Sequence, residues 1–247
     1  MMRVACLSTV LLLAGCSTPS SRPLPSTAPA TIPATLQIVA VAPALGGRVS
    51  PGATWLLYLD GFIDNDAATR LAAVIERERI VMATVYFNSP GGKLVAAMAV
   101  GRLVRSNGFS TVVGVRTTDL RRPAAGTCFS ACPFAFAGGV RRSMLDGSEI
   151  GVHLAANSVP VPDEAAFQHK VWQDASAYLE SMGVAVELLA LMSQAPHDAI
   201  RPLTVQEAAQ LRLINARPPQ AATSRTISST AARCSAAPSS TSAWKIS

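Results

Sequence analysis

Between residues 55 and 115 the chain alternates continuous apolar runs with amphipathic stretches, and this restricts the fold more than any other feature. Residues 55–59 (WLLYL) form an apolar run closed by Asp60 and Gly61, the pattern of a strand buried on both faces and ended by a turn. Residues 64–79 carry Ala67, Leu71, Val74 and Ile75 at helical spacing, with Asp64 placed to cap them. Residues 80–87 read as a second buried strand. Residues 93–106 read as a second helix with Val95, Met98, Ala99, Leu103 and Val104 turned inward, and 110–115 as a third strand. Strands separated by helices demand crossover connections, so the expectation is an α/β fold with a mostly parallel sheet flanked by helices.

Further along, a polar stretch with Thr117, Asp119, Arg121 and Arg122 gives way to residues 126–133 (GTCFSACP), which lead into an apolar helix ending at Gly138 and Gly139. Pro133 is tolerated there if it lies in the first helical turn. Short strands are expected at 141–145 and 150–154, separated by the Asp146-Gly147 turn. Residues 163–191 return to a helical pattern interrupted at Gly183, and Thr204 with Glu207 predicts a capping box for a last helix to Leu211. No internal repeat is visible. A chain of 247 residues leaves room for one sizeable core once its ends are discounted. Residues 16–34 and 218–247 are rich in Pro, Ser, Thr and Ala, too poor in large apolar residues to bury a core, and read as a flexible tether and a disordered tail. The folded domain is then 35–217.

The N-terminus reads as a secretory signal over residues 1–15: a positive start at Arg3, an apolar stretch from Val4 to Leu13, and small residues before Cys16. That stretch is too short to remain as a bilayer-spanning helix. Leu13-Ala14-Gly15-Cys16 resembles the bacterial lipobox, which implies that Cys16 is acylated and anchors the domain to a membrane. Ser17 after the cysteine implies, by the same resemblance, the outer membrane with the domain facing the periplasm. The net charge of +6 comes mostly from scattered arginines, with lysine only at Lys93, Lys170 and Lys245. A nucleic-acid surface would need a clustered basic face, so that class is set aside.

A serine attacks a carbonyl only when one group takes its proton and others stabilise the oxyanion. Asn88-Ser89-Pro90-Gly91-Gly92 follows a buried strand and opens a helix, so glycine amides can approach a bound carbonyl with no Cβ in the way. Ser130 stands at the start of the next apolar helix beside the amide of Ala131. His153 closes a short strand 23 residues later and is the best placed of the three histidines to act as base; His169 and His197 read as surface residues. Cys128 and Cys132 flank Ser130 and are either a disulfide or two small buried thiols. With no further ligand they would leave zinc half-coordinated, and no metal or other cofactor is expected.

This ordered set resembles the proteolytic subunit of the Clp protease, within the crotonase-like superfamily, over residues 55–215. The resemblance includes residues 201–208 (RPLTVQEA), which are similar to that family's end segment. The cysteine-flanked serine is most similar to a group of envelope proteins of this superfamily. The resemblance implies a repeated β-β-α spiral, Ser130 as nucleophile, His153 as general base, and the Gly92 and Ala131 amides as oxyanion hole. It implies a polypeptide substrate and assembly into homo-oligomers. The family's third triad member, an aspartate, falls here on Ile200; Asp198 is the carboxylate close enough to substitute if the loop bulges. Related envelope peptidases use a Ser/Lys dyad, but the neighbours of Lys170 look like those of a solvated helical face. Crotonase-type acyl-CoA chemistry is disfavoured, because the signal directs the chain to a compartment where CoA is not expected. A second reading is a catalytically silent module that binds peptide or an envelope partner in the same groove.

Overall fold

The computed structural model describes residues 22–23, 33–45, 48–49, 53–154 and 162–218; the signal, Cys16, most of the tether, and the tail beyond Pro218 lie outside the described residues. Four short strands come first: β1 (Arg22–Pro23), β2 (Gln37–Val41), β3 (Ala44–Leu45) and β4 (Arg48–Val49). The chain continues through β5 (Trp55–Asp60), α1 (Ala67–Arg77), β6 (Ala83–Asn88), α2 (Leu94–Ser106) and β7 (Ser110–Val113). Next come β8 (Thr127–Phe129), α3 (Cys132–Ala137), β9 (Arg142–Met144) and β10 (Glu149–Val152). Last are α4 (Glu164–Ser181), α5 (Glu187–Ser193), β11 (Ala199–Leu203) and α6 (Val205–Gln210). Among the described residues no helix is long and apolar enough to cross a membrane.

The architecture is α/β with mixed sheets flanked by helices. One sheet has the order β2-β5-β6-β7-β9, parallel except for β2, which joins β5 antiparallel. A second has the order β1-β11-β10-β8, with β8 and β10 parallel and β11 antiparallel to its neighbours. Single bridges join Ser89 to Cys128 and Ile63 to Gly92. Four times, therefore, a first-sheet strand leads into a strand or bridge of other pairing and then a helix: β5, Ile63, α1; β6, Ser89 to Gly92, α2; β7, β8, α3; β9, β10, α4. The repetition lies in backbone course and not in residue type, so the sequence carries no repeat.

Burial explains why the first strands were legible. Leu57, Leu59, Val85, Phe87 and Val113 pack in the main core with α1, α2 and α3, while Tyr58, Tyr86 and Val112 form a second cluster. Tyr58 and Tyr86 stack with centroids 5.0 Å apart, and the Tyr58 hydroxyl donates to the Leu120 carbonyl at 2.6 Å. Both faces of β5 and β6 are thus covered, and an uninterrupted apolar run is what such strands require.

Local expectations fare unevenly. The capping box is present: the Glu207 N–H donates to Thr204 Oγ1 at 3.1 Å, and the Thr204 N–H donates to Glu207 Oε2 at 2.8 Å. Pro133 lies in the first turn of α3. The expected 163–191 helix divides into α4 and α5 because Gly183 turns left-handed, at φ 66°. Asp64 does not cap α1, whose N-cap is Asp66; it instead accepts from the Arg70 guanidinium at 2.7 and 2.8 Å and from the Leu36 N–H at 2.9 Å. That guanidinium holds its carboxyl well below the usual range. Val95 is 70% exposed, and the buried face of α2 is Ala96, Ala97, Met98, Val100, Gly101 and Val104. The reason is the closeness of α3 and of Tyr178 on α4: a Cβ on Gly101 would run into the Phe134 carbonyl and the Tyr178 hydroxyl. Small side chains therefore face the interior where larger ones were expected.

Candidate active site

Ser130 sits between the end of β8 and the start of α3, with φ of 60°. A non-glycine residue in the left-handed region costs on the order of 1–2 kcal/mol, so the surrounding contacts must hold it there. One is the Ser130 N–H, which donates to the Gly151 carbonyl at 3.0 Å. Another is covalent: Cys128 and Cys132 are joined as a disulfide, with Cα atoms 5.2 Å apart. This settles the choice between bridge and paired thiols.

The 23-residue separation of serine and histidine closes through parallel pairing. Cys128 pairs with Ile150 and Phe129 with Gly151, so the C-terminal ends of β8 and β10 lie side by side. His153 follows β10 directly, and its Nε2 lies 2.7 Å from Ser130 Oγ. In the tautomer protonated at Nδ1, Nε2 accepts the hydroxyl proton, which is the geometry a general base needs.

The glycine loop closes the other side. Ser89 is 1% exposed, and its Oγ accepts from the Gly91 N–H at 3.1 Å while lying 3.2 Å from the Gly91 carbonyl. Its main chain is also clamped, with the Ser89 N–H donating to Thr127 and the Phe129 N–H donating back to Ser89. Gly91 (φ 115°) lies so near the serine that a Cβ there would stand 2.5 Å from Ser130 Cβ. Only glycine fits. The Ile63 N–H donates to the Gly91 carbonyl at 2.8 Å and the Lys93 N–H donates to the Ile63 carbonyl at 2.8 Å, which fixes the outer edge of the loop. The N–H groups of Gly92 and Ala131 enter no main-chain hydrogen bond among the described residues.

Among the described residues no carboxylate bonds to the imidazole. Nδ1 of His153 is buried and has no hydrogen-bond partner among the described residues. Asp198 is exposed in the turn just before β11, and Nδ1 of the ring has no bond to it. The β10–β11 register pairs Val152 with Arg201; carried one residue on, it sets Ile200 across from His153. Ile200 is 1% exposed and packs against Gly151. An aliphatic side chain thus occupies the neighbourhood where an orienting acid would sit.

Burial lowers the His153 pKa below 6.5; the Leu154 main chain acts in the opposite sense, and His197 adds to the lowering. A base is competent when neutral, so its reactivity rises with pH through the folded-state pKa and is complete above it. The acid limb of any Ser130 reaction is therefore expected below the usual imidazole value of about 6.5. Rates of serine labelling measured from pH 4 upward test this; a limb centred above that value would contradict it.

Other sequence candidates fall away from the site. Lys170 lies on the exposed face of α4, paired with Asp174. His169 and His197 are exposed. Among the described residues no group of three His, Cys, Asp or Glu side chains converges as a metal site. Sequence reasoning quoted Ser89 but missed its role, because a hydroxyl that clamps a loop looks like any serine in a turn until its partners are known. The chain matches no protein-family model, and no curated protein matches it.

Proposed function

We propose that this protein is a serine hydrolase of the bacterial envelope that cleaves polypeptide segments, with Ser130 as nucleophile and His153 as general base. The 2.7 Å approach of His153 Nε2 to Ser130 Oγ, on a left-handed serine turn packed against Gly91, carries the reading. Ser130 Oγ adds to the substrate carbonyl carbon as its proton passes to Nε2. The Gly92 and Ala131 N–H groups donate to the developing oxyanion. Collapse expels the amine, which takes the proton from His153, and water repeats the sequence on the acyl-serine. The fourfold strand, strand, helix succession supports kinship with the Clp-protease and crotonase-like spiral. The Cys128–Cys132 bridge supports an oxidising compartment, as does the N-terminal reading that anchors the domain through Cys16. The test is a fluorophosphonate probe offered to purified protein, with the modified residue located by mass spectrometry. Labelling at Ser130 is expected; an unlabelled protein would end the hydrolase reading.

Nδ1 of His153, without a partner among the described residues, and the buried Ile200 favour a second reading, a silent module that binds peptide or an envelope partner in the same groove. One substitution separates the two. Losing the orienting carboxylate of a complete triad costs on the order of 10⁴ in rate. Ile200→Asp should return part of this, raising the labelling rate by about tenfold or more if the site is a catalytic dyad. Asp198→Asn should leave it within about twofold, since Asp198 makes no contact with the ring. An Ile200→Asp protein that folds and remains inert would support the silent module.

A further inference from the structure

We infer that the Cys128–Cys132 disulfide is a positioning device for Ser130, holding its hydroxyl at His153 Nε2; this rests on the hydrolase reading above. The bridge joins residues only 4 apart in sequence, and the three residues it encloses are Phe129, Ser130 and Ala131. Those residues carry the nucleophile and one of the two N–H groups assigned to the oxyanion. Each end of the bridge is anchored in regular structure: Cys128 lies in β8, paired with Ser89 and Ile150, and Cys132 is the first residue of α3. Strand end and helix start are therefore tied together directly behind the left-handed serine.

The rest of the site offers little to replace that tie. The N-terminus of α3 has no side-chain cap, and among the described residues the Ser130 main chain is held through its N–H, which donates to the Gly151 carbonyl. Released from the bridge, a non-glycine residue relaxes from the left-handed region toward ordinary backbone, which swings Oγ away from the imidazole. Among the described residues no partner at Nδ1 of His153 aims the ring toward a displaced serine. In a site with an oriented base, two members share the task of alignment. Here it falls on the serine side alone. Both cysteines are 0% exposed, so the bridge acts as a fixed strut and not as a surface redox sensor.

The experiment compares the second-order rate of fluorophosphonate labelling at 25 °C for the full-length wild type, Cys128→Ala/Cys132→Ala, and Cys128→Val/Cys132→Ala, which restores buried volume. Circular dichroism and thermal melts confirm that each variant is folded at that temperature. The folded variants should label about tenfold or more slowly than wild type, since misplacements near 1 Å cost up to about 10²-fold. The pH of their acid limb should not move, because burial, the Leu154 main chain and His197, which shift His153, are not touched by the substitutions. A bridge that served stability alone would lower the melting temperature and leave the rate per folded molecule unchanged, so rates within about twofold of wild type overturn the inference. Failure of both variants to fold would make the bridge a folding requirement and overturn it as well. An unlabelled wild type would instead remove the nucleophile itself, and would be seen before any variant is made.

Discussion

Ser130→Ala is expected to abolish fluorophosphonate labelling and to lower hydrolysis of an activated peptide ester by on the order of 10²-fold. The size follows from what the site holds and what it lacks. Removing the serine of a complete triad costs on the order of 10⁶ in kcat, of which roughly 10⁴ depends on the acid that orients the histidine. Among the described residues this site has no such acid, since Nδ1 of His153 has no partner there and Ile200 fills the adjoining strand position. The remaining loss is that of a nucleophile aligned with its base over 2.7 Å. The fold should be little affected, because alanine accepts the same backbone and only one side-chain contact disappears, worth about 1 kcal/mol. Steady-state hydrolysis and a thermal melt on the same preparation measure both quantities. Labelling that persists in Ser130→Ala would identify another nucleophile and overturn the assignment.

The largest loss of stability is expected far from the serine, at Arg142. This arginine is 2% exposed, yet its hydrogen-bond partners are carbonyl oxygens and not carboxylates. Its guanidinium donates to Leu213 at 3.0 Å, Gly139 at 2.7 Å, Met182 at 3.3 Å and Arg212 at 2.7 Å. Arg105 reaches Gly138, Ala137, Gly139 and Met182 from the other side. The two cations thus collect carbonyls left over at the ends of α3 and α4 and after α6, where helix dipoles are negative. Burial pushes the Arg142 pKa down to about 10, which still leaves it charged at neutral pH. Arg142→Met keeps the stem and deletes every donor. Arg105 still serves Gly139 and Met182, but Leu213 and Arg212 lose the guanidinium contact. The fully buried Leu213 carbonyl left without a donor costs about 1–3 kcal/mol, and the partly buried Arg212 carbonyl and the lost charged bonds to Gly139 and Met182 add to it, so a loss of about 3–5 kcal/mol is expected. For a chain of this size that lowers Tm by about 10 °C. Denaturant unfolding with a calorimetric melt checks it; a Tm within about 2 °C of wild type would mean that water replaces the guanidinium. Labelling of Ser130 at 25 °C should be unchanged, because Arg142 does not touch that site.

Legibility followed burial. Strands β5 and β6 stood out because each has core on both faces, which writes an unbroken apolar run. Strand β8 has three residues, Thr127 to Phe129, too few to show a period. Strand β11 contains Pro202 and Arg201, a residue 4% exposed and paired with Glu207 at 2.5 Å, so its polarity disguised a buried strand. Helix α2 was found, but its buried face was misread at Val95. Helical spacing marks apolar residues and cannot say that α3 passes too close for any but small ones.

The residues themselves settled whatever depends on a few neighbouring positions: alternating strands and helices, the paired glycines of a tight loop, the capping box at Thr204, and the chemistry available at Ser130 and His153. Backbone preference and burial period act over one or two turns of chain, so they can be read from it directly. Tertiary structure alone decided that the 23 residues between serine and histidine close to a 2.7 Å contact, that Cys128 and Cys132 are bonded, and that Ile200 stands across from His153 where Asp198 does not reach. It alone showed that Arg142 serves carbonyls at the ends of α3 and α4 and after α6, the last two distant in sequence. Each of these results depends on which segments lie side by side, a matter settled by the packing of the whole core.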